Sequence, residues 1–341
     1  MGIVNQIISL LKEISFGEHY FEMAVMFRQS MLLNSILCNS EVLYGLNKSH
    51  IESLEAVDTH FWRNVFSSMV STSIESYFIE TNTIPIRYIV MARRIMYYWT
   101  ILQKEDNELV RKVFETQRLF SNKNDWVLQL NSDLEECNIT LSEREIKAMK
   151  KETFKNIVKK QIKVLSMNYL INLRNKHSKP ENLLLDKEMK PYLKSSKITL
   201  EEKKLLFSMK TRSVNVKTNF KNGLSNLLCR LCAKPGEDVS ELHLMRCELI
   251  LSESDIRDQM KNIAYKDIFG PLEKQICAIK TWKKVFKVWN IKLDNSRLSP
   301  RGHQVHQPVG QSASYTINAS AAQTVDLLPP DDSTNTVYDF G

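Results

Sequence analysis

Along most of the chain the apolar residues return every third or fourth position, and strict alternation with a period of two is hard to find. That spacing predicts helices rather than strands. After Pro85, placed where a first-turn proline is tolerated, Ile86, Ile89, Val90, Ile95, Met96 and Trp99 fall near a 3.6-residue period. The stretch YFEMAVMFRQSMLLNSILCNSEVLYGL is apolar over much of its surface and predicts a central core helix. Helix start signals are frequent. Ser49 with Glu52, Thr72 with Glu75, Thr140 with Glu143 and Thr199 with Glu202 fit the capping box, in which each side chain satisfies the other residue's orphan backbone N–H. The expected fold is all-α.

Four regions follow from changes in this pattern. Residues 1–137 predict a helical body rich in aromatics and Met, and 138–222 a basic helical region. Residues 223–290 hold a Cys/His segment and closing helices. The tail, 291–341, is rich in Ser, Pro, Gln, Thr and Asn and lacks periodic apolar positions, so disorder is expected there.

Composition narrows the class. The chain has 341 residues, 43% hydrophobic and 25% charged, with only 9 Gly, as expected of a helical globular protein. No run approaches the roughly 18 apolar residues that span a bilayer, so no membrane partner is expected. The first twenty residues have no basic flank and no small-residue cleavage site, and predict an amphipathic helix rather than a signal peptide. Between Lys147 and Lys221 there are twenty Lys and Arg against six Asp and Glu, a local charge of +14. With the whole chain at +8, the rest sits near −6. A basic block beside an acidic remainder points to a polyanion, most often nucleic acid. Lys150, Lys151, Lys155, Lys159, Lys160, Lys163, Arg212, Lys217 and Lys221 are the candidate phosphate contacts; lysines four apart share a helix face. The bland alternative is a solvated lysine-rich surface.

The strongest chemical signal is CRLCAKPGEDVSELHLMRC, Cys229 to Cys247. Cys229 and Cys232 stand in a C-x2-C turn, and His243 and Cys247 are one helical turn apart. Lys234-Pro235-Gly236 supplies the turn between the pairs. Four N/S ligands suit a structural Zn2+ with no open position, which would hold together a segment too small to fold by burial alone. The alternative is three small buried apolar cysteines and a surface histidine. Cys38, Cys137 and Cys277 are isolated among apolar neighbours and are expected in cores. The five tryptophans are also expected in cores, and His19, His50, His60 and His177 on structural or surface positions. No Gly-x-Ser-x-Gly, Gly-x-Gly-x-x-Gly or phosphate-loop motif is present.

The motif order resembles the C-terminal part of reverse transcriptases from non-LTR, LINE-like retrotransposons. MKTRSVNVKTNF, then LCRLC, then ELHLMRC is similar to that family's Cys/His segment and its basic lead-in. Upstream, RQSMLLNSILCNSEV, Tyr44-Gly45-Leu46 and the Leu54-Glu55-x-x-Asp58 pattern resemble the start of the thumb, over roughly residues 1–290 in all. The resemblance implies a thumb-like helical bundle, a CCHC zinc segment, and contact with template RNA or an RNA/DNA duplex, with an intact reverse transcriptase as a further partner. The family's metal-binding Asp pair in a Tyr/Phe-x-Asp-Asp turn has no counterpart: the only Asp-Asp is Asp331-Asp332, after Pro329-Pro330. The expectation is therefore a non-catalytic piece lacking the palm, nuclear or cytoplasmic. A zinc-stabilised protein-interaction scaffold and an inert relic of the element are the rival expectations.

Overall fold

A computed structural model describes residues 2–14, 16–42, 48–70, 72–120, 125–176, 188–214, 229, 231–232 and 241–298. Among the described residues every regular element is helical, as the spacing predicts. The 291–298 stretch, expected in the disordered tail, instead closes a helix; the rest of the tail lies outside the described residues.

Helix α1 (Gly2–Glu13) buries Val4, Ile7, Ile8 and Leu11, an i, i+3, i+4, i+7 stripe. After a 3-10 turn, α2 (Tyr20–Phe27) passes through a π-helical turn (Arg28–Leu32) into α3 (Leu33–Ile36). α4 (Lys48–Phe66) follows, then α5 (Ile74–Thr81), which ends at Asn82 in the left-handed region with φ 51°. Asn tolerates that conformation better than bulkier residues.

The middle of the chain is α6 (Ile86–Leu102), α7 (Leu109–Leu119), α8 (Trp126–Glu136), α9 (Glu143–Ala148) and the long α10 (Lys151–Lys176). The last described part is α11 (Pro191–Lys194), α12 (Leu200–Lys210), α13 (Glu241–Leu244), α14 (Glu248–Leu251), α15 (Ser254–Met260), a 3-10 turn (Tyr265–Phe269) and α16 (Leu272–Leu298).

Two large cores and a small one, of Leu33, Leu37, Ile86 and Val90, organise these helices. One gathers Tyr98, Ile101, Phe114, Trp126, Phe154 and Val158 from α6, α7, α8 and α10. The larger one runs from Val4 and Phe21 through Phe66, Phe207 and Ile250 to Trp282 and Trp289. Its centre is aromatic: Phe66 on α4 stacks on Phe207 of α12 with ring centres 3.9 Å apart. α10 serves both cores, placing Phe154, Val158 and Ile162 in the first and Leu170 in the second. Residues on either side of positions 137 and 222 thus share apolar interiors.

Helix starts differ in detail from the predicted capping boxes. Thr199 and Glu202 form theirs: Thr199 N–H donates to Glu202 Oε2 at 2.8 Å and Glu202 N–H to Thr199 Oγ1 at 3.3 Å. The predicted Thr140–Glu143 box moves two residues on, to Ser142 and Glu145. α4 begins at Lys48, so Ser49 lies inside the helix, and α5 is preceded by Ser73 rather than Thr72. Several Ser and Thr stand together at these starts, and the pattern alone does not choose among them.

Candidate metal centre

The turn at Cys229 is built by its own backbone. Cys229 Sγ accepts from Leu231 N–H at 3.4 Å and from Cys232 N–H at 3.5 Å. α13 carries His243, and Cys247 stands at the residue just before α14, four positions further on. Cys232 Sγ lies 3.4 Å from His243 Nε2. The three sulfurs and the imidazole nitrogen all lie within 4.8 Å of one another. A tetrahedral ion with thiolate bonds of about 2.3 Å separates its ligand atoms by about 3.5–3.8 Å, so the donor set fits a metal ion at its centre.

The group lies largely inside the fold. Cys229, His243 and Cys247 are buried and Cys232 is half-buried. Leu244, Ile250, Ile256 and Met260 surround the site as part of the larger core. Burial, and then the neighbouring Cys229 sulfur, push the Cys247 thiol up to about 12, against the pull of the Ile250 and Leu249 N–H groups. A bound cation reverses that balance and holds the sulfurs as thiolates. α14 and α15 are tied to α16 from outside. Lys292 Nζ reaches the Leu249 carbonyl, Ser252 Oγ at 3.1 Å and Glu253 Oε1 at 3.1 Å.

The predicted phosphate contacts divide. Lys150, Lys151, Lys159, Lys160 and Lys163 are exposed, as is Arg212, whose φ is 48°. Lys217 and Lys221 lie outside the described residues. Lys155 is half-buried and pairs with Glu152 at 3.2 Å, and Lys151 sits 6.0 Å from the Trp99 ring. Lys155, Lys159 and Lys163 each follow a buried residue of α10 by one position. The lysine row therefore runs beside the buried row, about 100° around the helix. Other cations of the basic block point inward. Lys203 Nζ donates to the Glu18 carbonyl at 2.9 Å, and Lys210 Nζ lies 3.8 Å from Glu80 and 4.4 Å from the centre of the Tyr192 ring.

Of the cysteines expected in cores, Cys137 is buried, whereas Cys38 and Cys277 are exposed. Cys38 sits in the turn after α3, and Cys277 precedes the buried Ala278–Ile279 pair of α16 and faces outward. Trp62, Trp126, Trp282 and Trp289 are buried, while Trp99 is half-buried with its indole N–H on the Met149 carbonyl at 3.1 Å. The periodicity missed the buried ion pairs. Arg28 donates to Asp58 at 2.7 and 2.6 Å, and Arg94 to Asp133 at 2.5 Å. Their one legible signal was a charge on an otherwise apolar helix face. No described helix is long and apolar enough to cross a membrane. No family model, curated protein or solved structure matches the chain.

Proposed function

We propose that the chain is a non-catalytic, zinc-stabilised nucleic-acid-binding module, corresponding to the thumb and Cys/His portion of a non-LTR retrotransposon reverse transcriptase. The observation that carries the reading is the lysine row of α10. Lys159, Lys160 and Lys163 are exposed on α10, and none forms an ion pair among the described residues. Cations left unpaired on one rigid helix suit a phosphate backbone, which they grip without choosing a sequence. Three thiolates and one imidazole suit zinc, and four protein ligands leave it no place to activate water. Its work is structural: Cys229, Cys232, His243 and Cys247 fasten α13 and α14 to the larger core. The order of the basic lead-in, C-x2-C and H-x3-C supports the retroelement origin.

The test is equilibrium binding of the full chain to a labelled RNA across a salt series. Lys159→Gln with Lys163→Gln should weaken binding for all sequences alike and reduce the salt slope by about 1 per lysine. Absent or salt-insensitive affinity removes the reading. A second reading, a protein-binding scaffold, is favoured by one observation: Leu109, Leu119 and Phe120, at and beside the ends of α7, are 76%, 78% and 73% exposed. An association that survives nuclease and high salt, and is lost on Leu119→Ser, would favour it.

A further inference from the structure

A second cationic site lies away from the lysine row, in an open cleft of about 1210 Å³. The end of α1, the turn at Phe16–Tyr20, the end of α4 and the start of α12 form its walls. Small-molecule sites are mostly apolar and about 300–1,000 Å³. This cleft is larger, and it mixes apolar residues such as Leu11, Ile14 and Val70 with cations and hydroxyls. Lys12, Arg63 and Lys204 face it with Ser67, Ser68 and Ser196.

The three cations have no carboxylate partner among the described residues. Lys204 Nζ donates to Ser67 Oγ at 3.0 Å and stands 5.2 Å from the centre of the Tyr20 ring. Burial, and then the nearby Lys12 ammonium, lower its affinity for a proton, while Glu201 opposes them. Lys12 and Lys204 line the same cleft. Arg63 gives one Nη2 hydrogen bond to the Val70 carbonyl at 3.1 Å, and its Nε is buried with no hydrogen-bond partner. The one acid on the wall, Glu18, has its carboxylate 3.5 Å from His19 Nε2. Like charges gathered in one cleft are stabilised by an anion, and the hydroxyls beside them suit phosphate oxygens.

We infer that this cleft holds the phosphate backbone of a single nucleic-acid strand, gripped by Lys12, Lys204 and Arg63. The inference rests on the nucleic-acid reading above and adds a contact surface outside the basic helix α10.

The experiment uses the full chain, a labelled twelve-nucleotide oligouridylate and a salt series, with tripolyphosphate as a separate ligand read by thermal shift. Lys12→Gln, an exposed position, and Lys204→Gln should each reduce the salt slope by about 0.7, the value for one single-strand contact, and the pair by about 1.4. Circular dichroism melts confirm that both variants fold; Lys12→Gln alone decides the matter if Lys204→Gln does not. Unchanged affinity and slope in Lys12→Gln, with the α10 variant weakened, overturns the cleft and leaves the nucleic-acid reading standing. A parent chain that binds no oligonucleotide overturns both. Strand binding that survives in the cleft variants while tripolyphosphate protection is lost would assign the site to a free polyphosphate and overturn the strand.

Discussion

Arg28 enters the fold on a helix face shared with Phe21, Ala24 and Leu32, all buried. Asp58 meets it with two hydrogen bonds, the Ile84 carbonyl with a third at 2.9 Å, and Trp62 and Phe78 pack over the guanidinium. A buried charge stripped of its partner costs about 3–5 kcal/mol, more than the intact pair contributes over an apolar replacement. Asp58→Ala should therefore lower the unfolding free energy by about that amount in urea titrations, and Arg28→Met with Asp58→Leu should recover most of it. Asp133 behaves differently. Burial outweighs the attraction of Arg94 and raises its pKa from 3.8 to about 6. A raised acid stabilises the fold while protonated and loses that contribution as pH rises through the folded value. The stability of the parent relative to Asp133→Asn should then fall between about pH 4 and 6 and level off above, as read from melts at each pH. A stability difference that stays flat across that window would remove Asp133 as its source. Neither pair was legible from periodicity, because the partners lie thirty and thirty-nine residues apart. The metal ligands were legible because each half of the site is local: two cysteines in one turn, and a His and a Cys one helical turn apart.

Elements are written more plainly in the sequence than the pairs between them. The stripes of α1, α6 and α10 follow from apolar spacing, and a helix forms where one is expected even when its start moves by two residues. The π-helical turn at Arg28–Leu32 was not legible. It adds a residue to a helix that spacing treats as regular, and such insertions answer to packing rather than propensity. The Thr199 box is the start where pattern and structure agree, and Glu202 there is nearly buried. Thr199→Ala should cost about 1 kcal/mol, measured by urea denaturation, with most of the loss recovered by Thr199→Ser or Thr199→Asp. An unchanged midpoint would mean that tertiary packing alone sets where α12 begins. α10 makes a contrasting case. Its buried row was legible, but the fact that its two ends serve different cores was not, since that depends on what packs against it.

At the scale of the whole molecule, the metal site cannot be treated as a detached finger. Cys229, Leu244 and Cys247 belong to the same core as Val4, Phe66, Phe207 and Trp282, so the Cys/His cluster shares an interior with helices near the start of the chain. Cys229→Ser or His243→Ala in the full chain should abolish stoichiometric zinc by elemental analysis. Each should also lower the melting temperature by several degrees within one transition that includes α1, because structural metal binding is coupled to folding. A small, separate low-temperature step would mean that the site folds independently. Boundaries at 137 and 222 follow from composition, which is local, whereas sharing of a core depends on contacts between distant segments that composition does not record. Truncation tests that difference most directly. Residues 1–222 keep α6, α8 and α10 with their own apolar interior but lose Ile279, Trp282 and Val285, which complete the larger core around α1 and α12. Hydrogen exchange on the fragment should retain protection in α6 and α10 while the amides of α1 and α12 exchange at rates close to those of an unfolded chain. Full protection of α1 in the fragment would show instead that the N-terminal helices form an interior without the end that carries the Cys/His cluster.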